Sequence, residues 1–208
     1  MAITINGDGS ITGLSVGGLP DGSVDSDTLA TNSVTAAKLK DDAIAVGDLP
    51  TGSVLQTVST TKTDTWTYTG ANFQDVTGLA ATITPTSTSS KILVQVHVNF
   101  SGTLRYWGAI LLRGSTQIGG GTAVGNRPSI SVSSEANQDE TNDEYIMRNS
   151  SFQFLDSPST TSATTYKVQI GNTHETNSTV YVNRSENDSD AAYGHRGSST
   201  ITLTEVAG

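Results

Sequence analysis

The chain has 208 residues, a formal net charge of −9 (20 Asp and Glu against 11 Lys and Arg), 21 glycines, no cysteine, and only 15% charged and 34% hydrophobic residues. Without cysteine there are no disulfides, thiolate metal sites or cysteine nucleophiles, and the acidic balance repels phosphate, which argues against nucleic acid as a partner. No window approaches the ~18 apolar residues of a membrane span, so membrane insertion is not expected. Met1-Ala2-Ile3-Thr4 lacks the basic start and apolar run of a signal peptide, so the expectation is a chain made and assembled in a cytoplasm.

In chain order, Ala2–Ile11 alternates apolar and polar residues around Asn6-Gly7-Asp8-Gly9, a short-hairpin signal and a candidate docking element. Residues 12–51 are a repeat. Cut every ten residues they stack as TGLSVGGLPD, GSVDSDTLAT, NSVTAAKLKD and DAIAVGDLPT. One column holds Leu14, Val24, Val34 and Ile44; another holds Leu19, Leu29, Leu39 and Leu49. Columns five apart swing about 140° around a helix, so no stripe forms. In a strand they fall on opposite faces. Pro20, Pro50 and the glycines exclude one long helix. Thr35–Leu39 is the best candidate for a single helical turn.

Two small aliphatics per decad are too few for the core of a lone chain, because ordering each residue costs about 1–2 kcal/mol. Their burial calls for further copies, in a homotrimer or another oligomer. The competing reading is a disordered low-complexity linker, but a linker has no reason to hold Val, Ile and Leu at fixed intervals. These eight side chains are therefore the candidate oligomer interface of a stalk spanning residues 1–51.

From Gly52 the period changes to two. Strands are expected at Ser53–Thr60, Thr65–Thr69, Leu79–Thr84, Lys91–Ser101, Tyr106–Arg113, Thr116–Ile118, Ser129–Ser133, Ser151–Leu155, Thr165–Ile170, Thr179–Asn183 and Thr200–Val206, with Gly70, Gly78 and Pro85 as breakers. The clearest is Lys91–Ser101, where Ile92, Val94, Val96 and Val98 share one face and Leu93, Gln95, His97 and Asn99 the other. Many short strands and no long amphipathic helix predict an all-β head over residues 52–208: an antiparallel β-sandwich of jelly-roll type.

Catalytic and metal chemistry is sparse. His97, His174 and His195 are far apart without ligand spacing, and His97 is expected to be buried or stacked in its strand. A metal site formed by identical His copies across a three-fold axis is the alternative. Asp139, Glu140, Asp143 and Glu144 raise a glycosidase reading, yet a charged loop is ordinarily just solvated. Asn187, Asp188 and Asp190 lack the framework of a twelve-residue calcium loop. No cofactor is expected. Trp66, Tyr68 and Trp107 are read as core anchors. Tyr193, with His195 and Arg196 in a polar loop, and Tyr106 are the candidate receptor contacts, since aromatic faces beside Arg suit sugar rings.

The Ser-Val-Thr-Ala-Ala-Lys-Leu-Lys decad (residues 33–40) resembles repeats near the front of tailed-bacteriophage fibre and appendage proteins. The later runs Ser89-Ser90-Lys91-Ile92-Leu93-Val94, Leu111-Leu112-Arg113-Gly114-Ser115-Thr116, Tyr166-Lys167-Val168 and Ile201-Thr202-Leu203-Thr204-Glu205-Val206 are similar to head domains of such proteins. More faintly, the head resembles the trimeric jelly rolls of the C1q and tumour-necrosis-factor type. What the resemblance implies is a homotrimeric, non-enzymatic virion structural protein assembled in a bacterial cytoplasm. Its amino end would dock on another virion protein, and its head would contact the host surface, with a surface glycan as the candidate receptor. The alternatives are a trimeric capsid decoration protein and an enzyme acting on surface glycans.

Overall fold

The computed structural model describes residues 4, 5, 7, 11, 12, 29–31, 33–35, 39, 44–103, 106–134, 143–172, 174 and 176–208. They fall in two compact units, Met1–Ala45 and Val46–Gly208. In the first, β1 (Thr4–Ile5) pairs antiparallel with β2 (Ile11–Thr12), Thr4 opposite Thr12, as the Asn-Gly-Asp-Gly between them predicts. Leu14, Leu19 and Val24 of the ladder lie outside the described residues, as do positions 36–38 of the expected helical turn. The ladder residues described in this unit face water: Leu29 is 45% exposed, Val34 54%, Leu39 46% and Ile44 55%.

The second unit opens with a 3-10 turn at Val46–Asp48 and carries the remaining strands. They are β3 (Val54–Lys62), β4 (Trp66–Thr69), β5 (Gln74–Ile83), β6 (Lys91–Gly102), β7 (Trp107–Arg113) and β8 (Thr116–Ile118), followed by β9 (Val132–Ser134), β10 (Arg148–Asp156), β11 (Thr164–Gly171), β12 (Thr179–Val182) and β13 (Ser199–Val206). Two antiparallel sheets form a sandwich. The first has the order β3-β13-β6-β12-β4 with β10 on the other edge of β6; the second has β5-β11-β7-β8 with β9 also on β7. One expectation is corrected here. Gly78 does not end a strand but lies inside β5, with φ of 85°, where the pairing with β11 shifts register. It is a bulge glycine, a conformation that costs other residues energy.

The first sheet is organised around β6. One edge is covered by β10 from Ile92 to Phe100. The other is covered by β13 up to His97 and by β12 from Phe100 onward. β13 and β12 therefore lie in line along β6, as two halves of one long strand from which residues 183–198 loop out. β3 and β4 line up beside them in the same way, interrupted at 63–65. Asn183 sits at the break. It is fully buried with a left-handed φ of 63°. Its amide donates to Lys62 O at 2.9 Å and to Asp64 O at 3.0 Å, and its Oδ1 accepts from Ser199 Oγ at 2.6 Å. One side chain thus satisfies backbone carbonyls that the interrupted ladder leaves over.

The core is built from alternation. Val94, Val98 and Phe100 of β6 and Leu203 of β13 meet Leu111 of β7 and Ile170 of β11, all essentially without exposure. Each such side chain contributes roughly 1.5–3 kcal/mol of burial. At one end Trp107 seats over Gly102, where an added Cβ would collide with the indole nitrogen. At the other end two carboxylates are held inside. Asp156 accepts from Arg113 Nη1 at 2.8 Å and from the Tyr166 hydroxyl at 2.7 Å, tying the two sheets together. Burial, and then the Asp156 carboxylate, push the Tyr166 phenol well above its ordinary range. Glu205 is fully buried. It accepts from Gln56 Nε2 at 2.5 Å and from both the backbone N–H and the hydroxyl of Thr86 at 2.7 Å.

Replacing Asn183 by Ala strands these carbonyls and keeps the unfavourable φ, so denaturant unfolding should register a loss of about 1–3 kcal/mol, with Asn183→Gly costing less than Ala. A second expectation concerns pH. Burial alone would raise the Glu205 carboxyl, but its hydrogen bonds outweigh that and hold it below the ordinary value. A lowered carboxylate gives stability that is present above the unfolded pKa of about 4.3 and is lost as pH falls through the folded value. Thermal melts should therefore fall below about pH 4, and this part of the fall should vanish in Glu205→Gln.

Candidate functional site

Strand alternation gives the first sheet an outward face as well as a buried one. Registered rows cross it from β3 to β10. One holds Ser59, Thr202, Gln95 and Gln153. The next holds Thr61, Thr200, His97 and Ser151. Below them Thr57 and Thr204 continue into Leu93 and Leu155, and Val206 pairs with Val54. Among the described residues of these four strands, the one charged side chain facing outward is Lys91, at the lower margin beside Val206. The outward face of the second sheet differs, because Lys167 there pairs with Asp75 at 2.7 Å and Gln169 donates to the same carboxylate.

Hydroxyl pairs knit the uncharged face. Ser59 and Thr202 share a hydrogen bond of 2.9 Å, and Thr57 and Thr204 a long one of 3.4 Å. The expectation that His97 is buried or stacked is corrected. It lies half-exposed on this outward face, because the odd positions of β6 point away from the core. Its Nδ1 shares a hydrogen bond of 3.1 Å with Ser151 Oγ, and Asn149 Nδ2 lies 2.9 Å from its Nε2. A hollow of about 440 Å³ lies over this patch, lined by Gln95, His97, Ser151, Gln153, Thr200 and Thr202. Among the described residues no group of three or more His, Asp or Glu is placed to hold a metal ion.

The receptor candidates separate into two places. Tyr193 is 54% exposed and stands edge-on to Tyr145, with ring centroids 4.8 Å apart. Tyr145 is fixed in turn by Asn187, whose amide donates to its hydroxyl at 3.0 Å. In the same loop Asp188 binds two guanidinium groups, those of Arg184 and Arg196. Hydrogen bonding to Arg196 leads the causes that hold the Asp188 carboxyl below its usual range. Arg184 also lies over the Tyr181 ring, 4.1 Å from its centroid. His195 is exposed. Tyr106 belongs elsewhere. It has a left-handed φ of 73°, is 55% exposed and tilts against His174 with centroids 5.2 Å apart.

Asn187, Asp188 and the acidic turn are thus engaged in holding the loop. Asp139 and Glu140 lie outside the described residues, and Glu144 is exposed. Tyr145 went unread in the sequence because no local pattern links it to Tyr193. Of the core anchors, Trp107 is buried, whereas Trp66 and Tyr68 are partly buried and stack on one another at 6.1 Å. The remaining stalk candidate, Leu49, is 37% exposed and lies in the second unit, lining a hollow with Leu55, Thr86 and Ala207. No helix among the described residues is long and apolar enough to cross a membrane.

No protein-family model and no curated protein matches the chain. Among solved structures it is similar to one of the infectious bursal disease virus Gx strain, at 11% identity and a TM-score of 0.33, over 74% of this chain and 37% of that one. It is also similar to the crystal structure of the VP2 subviral particle of infectious bursal disease virus, at 12% identity and a TM-score of 0.34, over 73% of this chain and 41% of that one. The chain thus spans less than half the length of these viral chains. At such values the likeness carries no functional argument.

The rim loop rests on Asp188, since both arginines answer to it. Asp188→Ala should speed limited proteolysis within residues 184–198 while leaving the melting temperature of the sandwich nearly unchanged.

Proposed function

We propose that the protein is a non-enzymatic virion structural appendage, a homotrimeric fibre whose repeat forms the stalk and whose sandwich forms the head. Its amino-terminal hairpin docks on another virion protein, and the head meets the host surface through the Tyr193 loop, with a surface glycan as its ligand. The observation that carries this reading is the ladder of Leu29, Val34, Leu39 and Ile44, apolar at fixed intervals and about half exposed in a single copy. Aliphatic side chains held regularly in water are stabilised once neighbouring copies cover them.

The head supports the same reading. Its chain passes repeatedly from one sheet to the other, with β5, β7 and β11 in one and β6, β10 and β13 in the other. That order fits a jelly roll, in keeping with the C1q-like resemblance. Tyr193, Tyr145 and Arg196 offer one ring face and one cation per head, a weak sugar contact that several heads per fibre multiply through avidity.

Two measurements test this. In the full chain, Leu29→Asp with Leu39→Asp should convert a trimer into a single copy by light scattering; a mass unchanged by both substitutions contradicts the ladder's role. On virions, this protein should be present in tens of copies or fewer, and Tyr193→Ala should weaken adsorption to host cells. Hundreds of copies per particle would place it on the shell as a decoration protein instead.

A further inference from the structure

We infer that the corner between Tyr145 and Tyr193 takes a positively charged sugar, one that carries a free amine, and that Glu144 and Glu186 select it. The inference rests on the glycan-contact reading above and gives that contact the chemical class of its ligand.

The rings are the first argument. Tyr145 and Tyr193 stand at 75° to one another with centroids 4.8 Å apart, so their faces meet as two walls of a corner. An aromatic face carries the negative part of the ring quadrupole and attracts a cation within about 6 Å of its centroid. Tyr193 is exposed and Tyr145 half-buried, which leaves the corner open to a ligand and one wall of it held. Asn187 does the holding. Its side-chain amide donates to the Tyr145 hydroxyl at 3.0 Å, and its backbone N–H donates to Glu144 O at 2.8 Å. A contact fixed in advance loses less to ordering when the ligand arrives.

Charge is the second argument. Both arginines of the loop are paired with Asp188, so their charge is already matched. Among the described residues neither Glu144 nor Glu186 has an ion-pair partner. Glu144 Oε1 lies 3.4 Å from the same Asn187 amide that holds Tyr145, which sets this carboxylate at the hydroxyl end of the ring. Burial, and then the charge of Glu144, push the Glu186 carboxyl above its usual range against the pull of Arg184. The two acids therefore repel, and an ammonium group beside them relieves that repulsion where an acidic sugar adds to it. At a net charge of −9 the field of the whole chain favours the same sign of ligand. A sugar that stacks its C–H face on Tyr193 can point its amine at this pair.

Titration calorimetry on the full-length protein should show a glucosamine tetrasaccharide, its amines protonated, binding at least about fivefold more tightly than its N-acetylated counterpart. Tyr193→Ala removes no charge, so it separates the corner from the general acidity of the chain. The preference should disappear in that variant; a preference that survives it overturns the inference. Glu144→Gln combined with Glu186→Gln should keep the far-ultraviolet dichroism of the head and bring the two sugars to equal affinity. Equal binding of both sugars by the unaltered protein, lost in Tyr193→Ala, overturns the inference and leaves the loop as a glycan contact. Tetralysine that outcompetes the glucosamine sugar would mark a site for protein amines and overturn the sugar assignment. Binding of neither sugar overturns the inference, and the contact reading falls with it if Tyr193→Ala virions adsorb as the unaltered ones do.

Discussion

The structure depends on the alternation of one strand. Each second residue of β6 is an aliphatic or aromatic side chain with essentially no exposure, from Ile92 to Phe100, and this column aligns both neighbouring strands. A slip of one residue would send the whole column into water and bring Leu93, Gln95, His97 and Asn99 inward. Three of those four are polar, so the slip has no stable outcome. Register along β6 is thereby fixed, and with it the positions of β10, β13 and β12.

Alternation also accounts for the other side of the sheet. Once the core column is set, the outward residues fall into registered rows: hydroxyls, amides and an imidazole in the rows through Gln95 and His97, and below them Leu93, Leu155, Val206 and Val54 with the charged Lys91. Asn183 and the loop that leaves the sheet at that point interrupt the regular pairing. There the ladder is cut, a buried amide replaces its missing donors, and the freed loop carries Tyr193 and Arg196. Sheet regularity and surface display are thus separated at one residue whose left-handed backbone makes the exit turn.

Much of this was legible from the sequence because period-two patterning is a local property. The hairpin around Asn6-Gly7-Asp8-Gly9 and nearly every strand of the head could be read that way, as could the two faces of Lys91–Ser101. What depends on pairing could not. Thr179–Asn183 and Thr200–Val206 read as two strands, and nothing local reveals that they lie in line along β6. The outward face was visible as one row of four residues; its extent across Thr202, Ser59 and Gln153 came only with the register. His97 was misjudged because its strand is buried on the other side, and Gly78 because a bulge glycine and a breaker look alike in sequence.

The described ladder residues Leu29, Val34, Leu39 and Ile44 are about half exposed in a single copy, and the proposed self-association would cover them. The most direct measurement is the native mass of the unaltered full-length chain at micromolar concentration and physiological salt. The account predicts one species with three times the mass of a single chain. A monodisperse species of one chain, with the ladder residues protected from hydrogen exchange, would contradict it.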